Sequence, residues 1–155
     1  MLTNVLVLPL DRPQHRILLG LKKKGFGTGK YVGFGGKLEA GETLVMGAVR
    51  ELREESGLQA RPQNLWYAAQ LEFCFPARPE WSRMVHVFRL EFWEGEPEES
   101  DEIRPEWFGF DELPLNQMWA DAAYWLPQVL LGIRPRMRFT YNGDNQTVGL
   151  AEALE

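Results

Sequence analysis

The segment of residues 36–58 constrains the fold and the chemistry of this chain more than any other stretch. Glu51, Glu54 and Glu55 stand at spacings that gather them on one face of a helix. Three carboxylates this close repel one another unless a cation lies between them. A hard divalent cation fits, because Mg²⁺ takes oxygen ligands and usually works beside phosphate groups. The segment therefore predicts a metal-binding helix.

Local signals define the two ends of this helix. Thr43 is suited to the N-terminal cap, and Leu44, Ala48 and Leu52 recur at helical spacing as the buried stripe. Gly57 is suited to the left-handed conformation that ends many helices. We therefore expect one helix between Thr43 and Gly57, with its acids on the face opposite the buried stripe.

Two glycine-rich stretches precede the helix. The first, at residues 22–30, is basic, and its lysines are expected either to form a solvated face or to meet a phosphate beside the metal. In the second, Gly33, Gly35 and Gly36 are predicted to form a loop whose backbone comes close to a ligand.

Residues 36–58 resemble the Nudix box. That motif consists of a glycine, five free residues, a glutamate, seven free residues, then Arg-Glu-aliphatic-x-Glu-Glu-x-Gly-aliphatic. Every defined position is present, and the matching residues are Gly36, Glu42, Arg50, Glu51, Leu52, Glu54, Glu55, Gly57 and Leu58. Seven fixed residue types would coincide by chance on the order of once in 10⁸ starting positions. An ordinary surface helix with solvated acids would explain the charge but not this spacing.

Bulk properties restrict the class of protein. A chain of 155 residues fits one domain, here 1–155. The net charge of −5 disfavours polymeric nucleic acid as a partner, although a small-molecule nucleotide delivered with Mg²⁺ remains compatible. A single cysteine suits a reducing interior, and the N-terminal apolar run is too short for a signal peptide. We expect a monomeric, cytoplasmic protein without a membrane partner.

Hydrophobic patterning predicts the other elements. Strands are predicted at 1–8, 17–21, 65–75, 84–93, 103–110 and 137–141, and a second helix at 119–131. This order predicts an α/β fold (α+β) in which helices cover both faces of a mixed β-sheet, an α/β/α sandwich. The Nudix family has this fold, so the resemblance agrees with the patterning.

Beyond the box, the chain resembles the oxidised purine nucleoside triphosphatases of the human type, relatives of MutT. The similar segments cover nearly the whole chain, and they are VLVL, LLGLKKKGFGTGKY, GFGGKLEAGET, VHVF, EESDEIRPEWF and MWADAAYW. The resemblance implies hydrolysis of a damaged purine nucleotide such as 8-oxo-dGTP to the monophosphate and pyrophosphate, which removes it from the nucleotide pool.

The resemblance also implies roles for residues of the reaction site. Mg²⁺, or Mn²⁺, would be held by Glu51, Glu54 and Glu55, by the backbone of Gly35 and Gly36, and by Glu99 from a loop. Arg50 would orient the glutamates without touching substrate. The general base is left open among Glu54, Glu55 and Glu99, since each could hold a water beside the metal.

Substrate contacts are implied in the same way. Lys22 would meet a phosphate, Trp119 would stack on the purine, and Asp121 would hydrogen-bond its edge. Thr3, Phe26 and Phe73 would line the base pocket.

Two positions depart from the human-type pattern. Val32 stands where those enzymes have a base-contacting asparagine, and Ala122 stands where they have the second of two adjacent aspartates. Neither side chain can form a hydrogen bond. The base could therefore be 8-oxoguanine, 2-oxoadenine, a methylated purine or an unmodified one. Two alternatives to a triphosphatase remain. One is a hydrolase of nucleoside diphosphates linked to another moiety, and the other is a non-catalytic nucleotide-binding module.

Overall fold

A computed structural model of the chain describes residues 1–154. The strands of this part are β1 (Leu2–Asp11), β2 (Arg16–Lys22), β3 (Tyr31–Val32), β4 (Phe34–Lys37), β5 (Leu65–Cys74), β6 (Arg83–Leu90), β7 (Ile103–Gly109), β8 (Arg136–Tyr141) and β9 (Val148–Ala153). The α-helices are α1 (Leu44–Ser56) and α2 (Ala122–Leu130).

The strands form one mixed sheet. Its long path runs β3-β2-β1-β6-β5-β8-β9, while β4 pairs with β1 and β7 pairs with β2. The β1/β6 and β5/β8 pairs are parallel, and the other pairs are antiparallel. The first hairpin joins the end of β1 to β2, with Leu10 opposite Ile17. Strand β1 therefore lies at the centre of the sheet.

The two helices cover opposite faces of the sheet. Successive side chains of β1 point to opposite faces, so Val7 packs in the core cluster of α1 and Leu8 in the cluster of α2. Leu52 anchors α1 in the first cluster, and Trp125 anchors α2 in the second. This arrangement confirms the predicted sandwich.

Helix α1 has the predicted ends. The Thr43 hydroxyl accepts a 3.1 Å hydrogen bond from the Met46 amide. Gly57 takes a left-handed conformation with φ 77°, and its N–H donates to the Arg53 carbonyl. The Nudix-box acids are therefore carried by one rigid helix.

The predicted glycine loop is wrong in one respect. Gly35 and Gly36 belong to β4 and pair with Leu6 and Val5 of β1. Glycine composition favoured a loop, but here the absent side chains allow a close approach: a Cβ on Gly35 would lie 1.9 Å from the Val5 carbonyl oxygen. The backbone beside the acids is thus held by the sheet.

The second helix is shorter than predicted. It begins at Ala122, which leaves Trp119 and Asp121 in the segment that leads into it. No helix in residues 1–154 is long and apolar enough to cross a membrane.

Candidate active site

Two adjoining depressions lie beside β1 and α1. One is a largely apolar cavity of about 170 Å³ between the sheet and α2. The other is acidic and is lined by Glu51, Glu54, Glu55 and the loop residues Ser100 to Glu102. Glu55 lines both depressions, which therefore meet at this residue.

Arg50 organises the carboxylates of α1. Its Nε and Nη2 donate to the two oxygens of Glu42 at 2.6 and 2.9 Å. Its Nη1 donates to Glu51 at 2.9 Å and to Glu54 at 3.2 Å. Hydrogen bonding to Arg50 lowers the pKa of Glu42 to about 2. The guanidinium therefore fixes three acids without facing the apolar cavity.

Glu51 lies directly against the backbone of β4. A Cβ on Gly36 would stand 2.7 Å from Oε1 of Glu51, so only glycine leaves room for this carboxylate. Burial raises the pKa of Glu51, against the opposing effect of Arg50. A nearby cation would stabilise this carboxylate in its charged form and offset the cost of its desolvation.

Glu55 is the most buried of the acids, with 5% of its surface exposed. Its Oε1 accepts a 2.8 Å hydrogen bond from the Gly35 amide, and its Oε2 lies 3.9 Å from Nζ of Lys22. Burial raises the pKa of Glu55 to about 7, although the Gly35 hydrogen bond and Lys22 oppose the shift.

The donor set of the acidic depression fits a hard divalent cation. Carboxylate oxygens are the ligands that Mg²⁺ prefers, and two of the acids are desolvated next to backbone. Gly36 lies beside Glu51 at the edge of this depression and lines the apolar cavity. Within residues 1–154, no three potential ligands already converge on one point. The carboxylates of Glu51 and Glu54 are turned towards Arg50. The site therefore fits a divalent cation by the type and location of its oxygen donors.

The acidic loop ahead of β7 places two of its glutamates differently. Glu99 lies outside the depression, where its carboxylate forms a 2.6 Å ion pair with Lys23 that lowers its pKa. Glu102, three residues later, lines the depression, and its carboxylate lies 4.0 Å from Nζ of Lys22. The acidic loop has no periodicity, so the sequence contained no signal that separated these two acids.

The apolar cavity brings together most of the predicted substrate-binding residues. The predicted residues among its lining are Lys22, Phe26, Val32, Phe73, Trp119 and Asp121. The rings of Trp119 and Phe26 stack at a centroid distance of 5.1 Å, and Nζ of Lys30 lies 4.8 Å from the centroid of Trp119. This end of the cavity is therefore aromatic and suited to a flat ring.

Asp121 is held by donors from the protein. Tyr141 donates its hydroxyl to Oδ1, and Trp125 donates Nε1 to Oδ2 at 2.7 Å. The same Tyr141 oxygen accepts from the Asp121 amide at 3.3 Å. Burial nevertheless raises the pKa of this carboxyl. Its position at the cavity wall is thus fixed before any ligand binds.

One predicted pocket residue lies outside the lining. Thr3 and Asn4 are neighbours on β1, so their side chains point to opposite faces of the sheet. Asn4 lines the cavity together with Leu6 and Leu8. The resemblance implied Thr3 for the pocket, whereas the structure places its neighbour Asn4 in the lining. Arg83 of β6 is a second lining residue that the sequence did not single out, because it lies in an ordinary strand pattern.

Comparisons with known proteins agree with this geometry. The model of the NUDIX domain family matches residues 2–129. The chain is 45% identical to an oxidized purine nucleoside triphosphate hydrolase from Danio rerio, over 94% of this chain and 92% of the relative. A protein of the same name from Mus musculus is 47% identical, over 83% of this chain and 78% of the relative. The crystal structure of a mutator MutT protein from Bacillus halodurans superposes with a TM-score of 0.82 at 24% identity, covering 99% of this chain and 97% of the other, and it shares the fold.

Proposed function

Because this chain belongs to the Nudix family of hydrolases, we propose that it hydrolyses oxidised purine nucleoside triphosphates such as 8-oxo-dGTP. The products would be the monophosphate and pyrophosphate, and the biological effect would be sanitation of the nucleotide pool. The relatives in zebrafish and mouse that carry the name of this activity are 45 and 47% identical to the chain.

One observation supports the proposal most directly. Glu55 and Lys22 stand at the junction between the aromatic cavity and the acidic depression. A nucleoside triphosphate has the same two parts, a flat base and a charged tail. Its base would stack on Trp119, and its phosphates would reach the carboxylates of α1.

Divalent metal ions are general cofactors of this family, and we propose Mg²⁺ here, with Mn²⁺ as an alternative. The residues that would hold the ion are Glu51, Glu54, Glu55, Glu102 and the backbone of Gly36. A bound divalent cation supplies charge neutralisation at phosphate oxygens and lowers the pKa of water. Glu102 replaces Glu99 in this set because it faces the depression.

The chain's own groups would orient and position the reactants. Arg50 holds Glu51 and Glu54 in fixed rotamers through two hydrogen bonds from Nη1. Lys22 would neutralise a phosphate at the junction, where its ammonium now lies between Glu55 and Glu102. A glutamate of the depression would take the proton of the attacking water, and Glu54 and Glu55 both remain candidates for that base.

We also propose that the protein acts as a monomer on a small-molecule nucleotide in the cytoplasm. The net charge of −5 disfavours binding to polymeric nucleic acid. Cys74 is free, which suits a reducing compartment. Light scattering of the purified protein would test the oligomeric state.

The decisive assay is a panel of normal and oxidised nucleoside triphosphates incubated with Mg²⁺, with monophosphate and pyrophosphate measured separately. We expect turnover of oxidised purines, and a loss of at least about 100-fold in kcat for Glu55→Gln. Turnover that survives this substitution unchanged would refute the assignment of the site. Equal turnover of normal and oxidised purines would refute the sanitising role while leaving the hydrolase activity intact.

A further inference from the structure

The floor of the apolar cavity contains two polar side chains that the predicted site does not use. Arg83 of β6 pairs with Leu2 of β1, and Asn4 lies two positions further along β1, next to Val85. Period-two alternation therefore places Asn4 and Arg83 on the same face of the sheet, and both line the cavity.

Arg83 is a cation with few protein partners. Its Nε donates a 2.8 Å hydrogen bond to the Trp81 carbonyl, and its guanidinium carbon lies 4.4 Å from the centroid of the Phe26 ring. Among residues 1–154, no carboxylate forms an ion pair with Arg83, and its terminal amino groups make no hydrogen bond. Burial lowers the pKa of this guanidinium. Its two unused donor groups are therefore available to a ligand.

Asn4 has an acceptor atom that lacks a donor. Its Oδ1 is buried and has no hydrogen-bond partner within residues 1–154. A buried acceptor without a donor is costly. Rotation of the amide about its Cβ–Cγ bond would turn Oδ1 towards the cavity, where a ligand N–H would remove that cost. The floor of the cavity thus offers donors at Arg83 and an acceptor at Asn4. The two residues lie on adjacent strands and are offset by two residues along them.

The position of Arg83 favours a base rather than a phosphate as its partner. The phosphate end of the site is marked by Lys22 and by Glu55, which is bonded to Gly35 opposite Leu6 of β1. Arg83 lies opposite Leu2, four residues away, which is roughly 13 Å along the strand. At that end Arg83 is next to Phe26, whose ring stacks with Trp119.

We propose that Arg83 is a specificity-determining residue that donates to a carbonyl oxygen of the bound base, while Asn4 accepts from a neighbouring N–H of the same edge. A lactam edge, O=C–N–H, has this pattern. The cavity would therefore prefer purines with a carbonyl group over purines that carry only amines. This inference rests on the proposed function, since it specifies the base that the same site would take.

Matched nucleotides test the carbonyl directly. The triphosphates of guanine and 2,6-diaminopurine differ at position 6, and those of 8-oxoadenine and adenine differ at position 8. We expect wild type to prefer the carbonyl-bearing member of at least one pair in kcat/KM. Arg83→Met should reduce that preference by about 10- to 100-fold, the range of a charge-assisted hydrogen bond. Arg83→Lys should restore part of it.

Arg78 provides the matched control. Its guanidinium stacks on Trp81 at 4.8 Å, but it is outside the cavity lining. Arg78→Met should leave the nucleotide preference unchanged. If Arg83→Met lowers kcat/KM equally for both members of each pair, or leaves both ratios unchanged, Arg83 does not read a carbonyl and the proposal is wrong. Thermal unfolding of each variant separates this result from loss of fold.

A binding experiment without turnover separates this inference from the proposed function. Tryptophan fluorescence can follow the binding of the corresponding nucleoside monophosphates in the absence of metal, because Trp119 lines the cavity. If no triphosphate is hydrolysed but the monophosphates still show an Arg83-dependent carbonyl preference, the proposed function fails and this inference stands. If hydrolysis occurs without any such preference in Kd or kcat/KM, this inference fails while the hydrolase activity stands.

Discussion

The amide of Gly35 donates a 2.8 Å hydrogen bond to the buried carboxylate of Glu55, and this bond ties the sheet to the acidic helix. Gly35 is paired with Leu6 in the centre of the sheet, so its amide has little freedom to move. The most buried acid of the site is thereby fixed at the junction between the aromatic cavity and the acidic depression.

The first prediction concerns Gly36, the neighbour of Glu51. Gly36→Ala would put a Cβ 2.7 Å from Oε1 and 2.9 Å from Cδ of Glu51, and the carboxylate would have to move away from the strand. We expect kcat to fall by about 100-fold, as misplacement by an ångström can cause. Steady-state kinetics measure this loss.

Gly143→Ala is the control for that substitution. A Cβ there would meet nothing within 4 Å, and activity should be unchanged. Normal kcat in Gly36→Ala would mean that the position of Glu51 against β4 does not matter for the reaction.

The second prediction concerns the support of Asp121. Tyr141→Phe removes the hydroxyl that donates to Oδ1 and accepts from the Asp121 amide. Both groups are buried, so we expect the free energy of unfolding to fall by about 1–3 kcal/mol. Denaturation with urea measures it. Tyr124→Phe, at an exposed position of α2, should change the stability little, and an equal loss in both variants would contradict this account.

Not all of this site was within reach of the sequence. Helix α1 and its acids followed from spacing, because i, i+3 and i+4 positions must share a face. The phase of β1 did not follow, since Thr3 and Asn4 both suit a strand and a shift of one residue exchanges the two faces. Glu99 and Glu102 could not be separated either, because the conformation of an irregular acidic loop depends on tertiary contacts such as the Lys23 ion pair.

The third prediction concerns pH and His86. Tyr67 Oη lies 2.6 Å from Nδ1 of His86, and burial lowers the pKa of this imidazole. At His86 the unfolded chain therefore binds a proton more readily than the folded chain. The contribution of His86 to the free energy of unfolding should decrease as the pH falls below about 6.5, the ordinary pKa of histidine, whereas Glu55, whose pKa burial raises to about 7, acts in the opposite direction. The decrease should continue until the lower pKa of the folded state is reached.

His86→Gln isolates this contribution. The variant has no group at this position that titrates between pH 5 and 7, so the unfolding free energy of wild type minus that of the variant should decrease as the pH falls through that range, while the contribution of Glu55 cancels. Urea denaturation at several pH values measures the difference. Identical pH dependence in the two proteins would show that His86 does not cause it.

The last prediction separates two acids of the same loop. Glu102 lines the acidic depression, whereas Glu99 is half-exposed and pairs with Lys23. Glu102→Gln removes one negative oxygen donor from the proposed metal site. We expect the Mg²⁺ concentration for half-maximal activity to rise by about 10-fold or more. Glu99→Gln breaks only an exposed ion pair, which contributes little, so its Mg²⁺ dependence should match that of wild type.

Titration of Mn²⁺ by calorimetry should give the same order without relying on turnover. The opposite order, with Glu99→Gln impaired and Glu102→Gln normal, would mean that the loop rearranges when metal binds and brings Glu99 to the site.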